Sequence, residues 1–290
     1  MTLAIRPRRR VGLALAALAA LACAFATQTS PADAASTSFA TYKTKGCADA
    51  PKWRIGYRFF FRSPNGATLP RDGSFNAAKR ASRKFVEQIG TFSQCGVRAQ
   101  IELFDEGDAL FTGCAEEAGD CNFARMFPAD TPSFRKARKL DAVFYRYPEQ
   151  GSESPGTMAP LAGTGYGARF PVDNVRPDFD EGDPWRNLLL HEWLHMVVAH
   201  VSRANWPRPS GGDPVHAGCA IEPYKSGDFR TFDGPCIAQG RYYRDLMRGK
   251  VKLNGKDKGI TEKLWLRCGT PAKPPEGDDR RSCQRSKSVF

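Results

Sequence analysis

The chain has 290 residues and a formal net charge of +12, from 43 Lys and Arg against 31 Asp and Glu. That length holds one large domain or two lobes around a cleft, and the absence of an internal repeat excludes a solenoid. The basic balance suits anionic surroundings such as cell-wall polymers, while no motif marks a specific nucleic acid.

The first segment reads as an export signal. Arg6, Arg8, Arg9 and Arg10 precede the apolar run "VGLALAALAALACAFA" (11–26), and "ADAA" (32–35) offers a cleavage site near Ala34 and Ala35. The expected organisation is a signal peptide over 1–34, a main domain over 35–250, and an extension over 251–290 tethered by a cysteine, with no membrane span in the mature form. Losing four arginines and Asp33 leaves a charge of +9. Of the nine cysteines, removal of Cys23 leaves an even set: Cys47, Cys95, Cys114, Cys121, Cys219, Cys236, Cys268 and Cys283. An even set in an exported chain reads as disulfides. Short loops favour Cys114–Cys121, Cys219–Cys236 and Cys268–Cys283, leaving Cys47–Cys95, although sequence does not fix the pairing. No C-x-x-C pair occurs, which argues against a zinc finger.

"WRIGYRFFF" (53–61) is an aromatic strand candidate. "SFNAAKRASRKFVEQIGTF" (74–92) reads as a helix capped by Ser74, with Phe75, Ala78, Phe85, Ile89 and Phe92 at helical spacing until Gly90 loosens its end. "VRAQIELF" (97–104) and "LDAVFYRYP" (140–148) are strands. The Gly- and Pro-rich stretch 151–174 reads as an extended strand or flap. Its "GTGYG" makes a poor phosphate loop, because no helix opens after it. A long helix follows, with Asp183 as N-cap and Pro184 in its first turn. "DFDEGD" ahead of it lacks the spacing of a calcium loop. "CIAQGRYYRDLMRGKV" (236–251) is a late helix. The expected class is α+β.

Three of the four histidines fall in "HEWLHMVVAH" (191–200). At about 100° per residue, His191 and His195 stand one turn apart on the same face, where both imidazoles can grip one ion. Glu192 sits about 100° round, placed to reach a water on that ion. This is H-E-x-x-H, two Zn2+ ligands and a general base for hydrolysis. The alternative is a pair of histidines packed in an amphipathic helix. His200 lies about 180° from His191 and faces away, as a surface or packing residue. The third ligand must come from a later segment, since Val198 and Val201 stand where H-E-x-x-H-x-x-G-x-x-H needs glycine and histidine. "RPSGGDPVHAGC" (208–219) supplies His216, with Asp213 either holding a ligand imidazole or itself the ligand. Glu222 is a more distant possibility, and Tyr224 could donate to the oxyanion of a tetrahedral intermediate.

Through "HEWLH", the loop histidine and the aromatic "YYRDLMRGK" (242–250), the chain resembles secreted bacterial zincin metallopeptidases over roughly residues 140–250. The resemblance implies zinc at His191, His195 and His216, Glu192 as general base, and a protein or peptide substrate. It also implies a two-lobed, zincin-like domain with a twisted mixed sheet, stabilised here by disulfides. "AGTGYGARF" (162–170) would be the edge strand that binds the substrate backbone. Two other readings stay open: a non-enzymatic exported basic binding protein with at most a structural metal, and a zinc hydrolase acting on a non-peptide amide. Substrate specificity and oligomeric state are not written in the sequence.

Overall fold

Aromatic and β-branched residues cluster in three of the segments that alternate, and these form the centre of one mixed sheet. The computed structural model describes residues 36–114, 125–149, 157–160, 165–172, 188–201, 204–209, 212–222, 224, 229–230, 237–238, 240–268, 270–271 and 283. Contacts divide the chain into Met1–Asp33 and Ala34–Phe290. The first unit, with most of the expected signal segment, lies outside the described residues, as does the expected helix cap Asp183–Pro184.

The elements in chain order are β1 (Thr37–Lys43), β2 (Lys52–Phe59), α1 (Arg71–Ser93), β3 (Arg98–Asp105), α2 (Thr131–Arg138), β4 (Ala142–Pro148), β5 (Thr157–Pro160), β6 (Tyr166–Val172) and α3 (Leu188–His200). There follow β7 (Phe229–Arg230), β8 (Ile237–Ala238), α4 (Arg241–Met247), β9 (Val251–Leu253), β10 (Lys256–Lys258) and α5 (Glu262–Cys268). The class is α+β. The six-stranded sheet has the order β1-β3-β2-β4-β6-β5, with antiparallel β1 and β5 at its edges and parallel pairing between. Among the described residues no helix is long and apolar enough to cross a membrane.

The two faces of the sheet bury different cores. Trp53, Ile55, Tyr57, Phe59, Ile101, Leu103, Ala142, Phe144, Ala168 and Phe170 face α1 and α3. Phe60, Phe104, Phe134, Val143, Tyr145 and Tyr147 form a second core on the other side, with α2. Every residue of β4 is therefore buried, as expected for a strand covered on both faces.

Several boundaries differ from expectation for tertiary reasons. Helix α1 starts at Arg71, and Ser74 is inside it, its N–H bonded to Pro70 O at 3.3 Å. Arg71 is anchored early by Asp105 at 2.9 Å and by the Gly107 carbonyl at 2.6 Å. Gly90 does not end the helix. A Cβ there would lie 2.5 Å from Thr44 Cγ2, so glycine admits the segment after β1 against the helix. The turn beyond α1 passes through Gln94 and Cys95, both at positive φ (53° and 60°), and Cys95 is bonded to Cys47.

The edge strand expected over 162–170 is instead interior. β6 lies between β4 and β5, with Tyr166, Ala168 and Phe170 in one core and Gly167 under the Phe127 ring on the other face. β5 is the outermost described strand. Tyr166 and Gly167 of "GTGYG" are in β6. The late helix is shorter than expected: β8 precedes it, and α4 spans seven residues between Gly240 and the turn at Gly249, both at positive φ. Beyond Lys250 the chain does not separate, since Val251, Ile260, Trp265 and Cys268 are buried in the first core.

Cys47–Cys95 and Cys268–Cys283 match two of the four expected disulfides. Cys114 is also disulfide-bonded, while Cys121 and Cys236 and the side chain of Cys219 lie outside the described set.

The second core contains a buried ion pair. Arg58 donates to both carboxylate oxygens of Glu106, at 2.7 and 2.8 Å, and to Asp130 at 2.8 Å, with Phe134 stacked 4.3 Å away. Burial opposes the Arg58 charge, and the bonds to Glu106 and Asp130 more than restore it. Without Glu106 the buried Arg58 keeps only the partly exposed Asp130 as an acidic partner, so Glu106→Ala should cost about 3 kcal/mol in denaturant unfolding. A loss below about 1 kcal/mol would mean that water or Asp130 replaces the bond.

Candidate metal centre

Helix α3 is apolar on almost every side. Leu189, Leu190, Trp193, Leu194, Met196, Val197 and Val198 are all buried, which places the helix in the interior and not on an amphipathic surface. Trp193 fixes its rotation, meeting Trp53 of the sheet at 5.6 Å, Phe85 of α1 at 6.1 Å and Trp265 of α5 at 6.1 Å. With Trp193 turned to that junction, His191 and His195 face the loop that follows the helix.

That loop is shaped by short-range bonds. Asp213 Oδ1 accepts the Val215 N–H at 2.8 Å, and the Asp213 carbonyl accepts the His216 N–H at 3.1 Å. A 3-10 turn over Ala217–Ala220 follows, with Val215 fully buried beneath it. Tyr242 of α4 clamps the loop, its hydroxyl donating to the Pro214 carbonyl at 2.5 Å. The Tyr242 ring lies over Gly218, where any Cβ would come within 2.6 Å of it. Only glycine fits there.

The structure brings His191, His195 and His216 together. His195 Nε2 is 3.1 Å from His191 Nε2 and 3.1 Å from His216 Nε2, and the donor atoms of all three lie within 4.8 Å of one another. Imidazole nitrogens on one zinc, at about 2.0–2.1 Å each in tetrahedral array, are about 3.3 Å apart. The two edges that meet at His195 are close to that length.

The outer nitrogens have partners. His195 Nδ1 is 2.8 Å from Asp213 Oδ2. A carboxylate only accepts, so Nδ1 carries the proton and Nε2 offers its lone pair inward. Asp213 thus stands behind a ligand. His191 Nδ1 is 2.5 Å from the Tyr243 hydroxyl. Burial first, then His195 and His216, hold His191 well below the usual imidazole range, which keeps it neutral as a ligand must be. Burial also lowers His195, but Asp213 and Glu192 outweigh it and the group lies above its ordinary value. Asp213 is correspondingly lowered, its bond to His195 overcoming the effect of burial.

Glu192 is buried, with Oε1 3.9 Å from His191 Nε2, beside the triangle and not part of it. His200 is a packing residue: its Nε2 meets the Cys268 carbonyl at 3.1 Å and its ring abuts Trp53. Glu222 is exposed and outside the group. The Tyr224 hydroxyl donates to Asp245 at 2.9 Å, and burial together with Asp245 pushes its pKa up to about 12. The aromatic hydroxyl beside the histidines is Tyr243, 52 positions from His191, a separation that no local sequence pattern spans.

Comparison with protein families, curated proteins and solved structures returns no match to this chain. If the Tyr242–Gly218 contact sets the loop, Gly218→Ala should lower unfolding free energy by about 1–3 kcal/mol through overpacking. An unchanged melting curve would show that the ring moves aside freely.

Proposed function

We propose that the chain is a secreted zinc-dependent endopeptidase, in which His191, His195 and His216 hold the ion and Glu192 is the general base. The observation that carries this reading is the convergence of three Nε2 atoms beside a buried carboxylate. The donor set fits zinc: three imidazoles, two of them with outer-nitrogen partners, leave a fourth position for water, as in catalytic and not structural sites. Zinc bound there would lower the pKa of that water to about 7 and polarise the scissile carbonyl.

The protein's own groups do the rest. Glu192 takes the proton from the water as it attacks and passes it to the leaving amine. Asp213 keeps His195 in the tautomer that presents Nε2 inward and increases its basicity. Burial of Glu192 strengthens its interaction with the ion and keeps bulk water from competing. The reading extends to a zincin-like, two-lobed fold, with the mixed sheet above the site and the segment after α3 below it. The substrate backbone would then add to β5, which lies at the sheet edge and packs against α3. The Cys47–Cys95 and Cys268–Cys283 bridges support an oxidising compartment outside the cytoplasm, where the basic surface could also hold anionic wall polymers.

Elemental mass spectrometry on the oxidised chain, desalted without chelator, should find about one zinc per molecule. Glu192→Gln should retain that zinc while hydrolysis of a protein substrate falls by about 10²–10⁴-fold. Full activity in the variant would sink the proposed mechanism. A wild-type chain that takes up no zinc after reconstitution would leave an exported basic binding protein as the better account.

A further inference from the structure

We propose that Tyr243 is the positioning residue for the deep half of the metal centre, its hydroxyl holding the His191 ring so that Nε2 faces the ion. The inference rests on the metal reading above and adds to it a residue that acts only through its neighbour. Tyr243 is 2% exposed and His191 5%, so their 2.5 Å contact is sealed from solvent. The ring is carried by α4, whose Leu246 and Met247 are fully buried in the first core. The adjacent Tyr242 anchors the His216 loop through the Pro214 carbonyl. One helix thus steadies ligands from two separate parts of the chain.

The choice of a phenol follows from burial and charge. Metal-binding imidazoles usually lean on a carboxylate or a carbonyl. Here Glu192 and Asp213 already place two negative groups around the site, enough to balance a divalent ion. A third carboxylate beside the deeply buried His191 would be an unpaired charge in a poorly solvated place. A hydroxyl can also accept from Nδ1–H or donate to bare Nδ1, so the contact survives in either ring tautomer, which a carboxylate cannot offer. Asp213, with 31% of its side chain exposed, takes the charged role where water can share the cost.

Tyr243→Phe removes one oxygen and keeps the ring. Zinc affinity, measured by competition with a chromophoric chelator, should weaken by about 10–100-fold while the variant still unfolds cooperatively. Hydrolysis is not needed as a readout. Binding within twofold of wild type would overturn the assignment while leaving the metal reading standing. A wild-type chain that binds no zinc would instead overturn the metal reading, before any variant is made. Should the variant fail to fold, ¹⁵N-histidine spectra of the zinc-loaded wild type decide the matter. The Nδ1 proton of His191 should be a slowly exchanging, hydrogen-bonded resonance, and exchange as fast as in an exposed imidazole would refute the contact.

Discussion

A helix that is buried on almost every side, yet carries three histidines and a glutamate, is the constraint around which the molecule is arranged. Only Leu188 and His195 of α3 escape full burial. The apolar positions draw the helix into the interior, and its polar side chains are taken there with it. Buried polar groups need partners. For His195 the partner is Asp213, for His191 Tyr243, and for His200 the Cys268 carbonyl. These come from the loop, α4 and α5 in turn, so three later segments of the chain each supply one polar group to the same helix.

The sheet performs a complementary task. Its first face offers Trp53 and Phe144 to α3 and α1, while its second face is closed by a separate core built around Arg58 and Glu106. The helix is therefore pressed against a wall that is itself supported from behind. Dense packing on both sides of β4 leaves little freedom at that wall.

Legibility in the sequence followed the range of the interactions. Alternation marked β2, β3 and β4, and helical period put His191, Glu192 and His195 together, because both signals are local. β6 was unreadable as an interior strand, since the glycine that makes "GTGYGARF" look like a loop is there to admit the Phe127 ring. The start of α1 depended on Asp105 and Gly107 gripping Arg71 from beyond β3. The β9–β10 hairpin was legible and passed over: Asn254 and Gly255, at φ 51° and 74°, form the dipeptide that favours a two-residue turn. Tyr243 stood in the aromatic segment 242–250, but its contact with His191 was not legible, because nothing in its neighbours ties it to a helix so far back.

The unequal supports of the two α3 histidines divide the centre by its response to the medium. Asp213 acts through charge and is partly open to solvent, so dissolved ions can gather round it and weaken its hold on His195. Tyr243 acts without charge and is enclosed, so the same ions reach it neither in space nor in strength. As ionic strength rises, one ring of the site would loosen while the other kept its bearing. The centre then has a rim that registers its surroundings and a floor that does not.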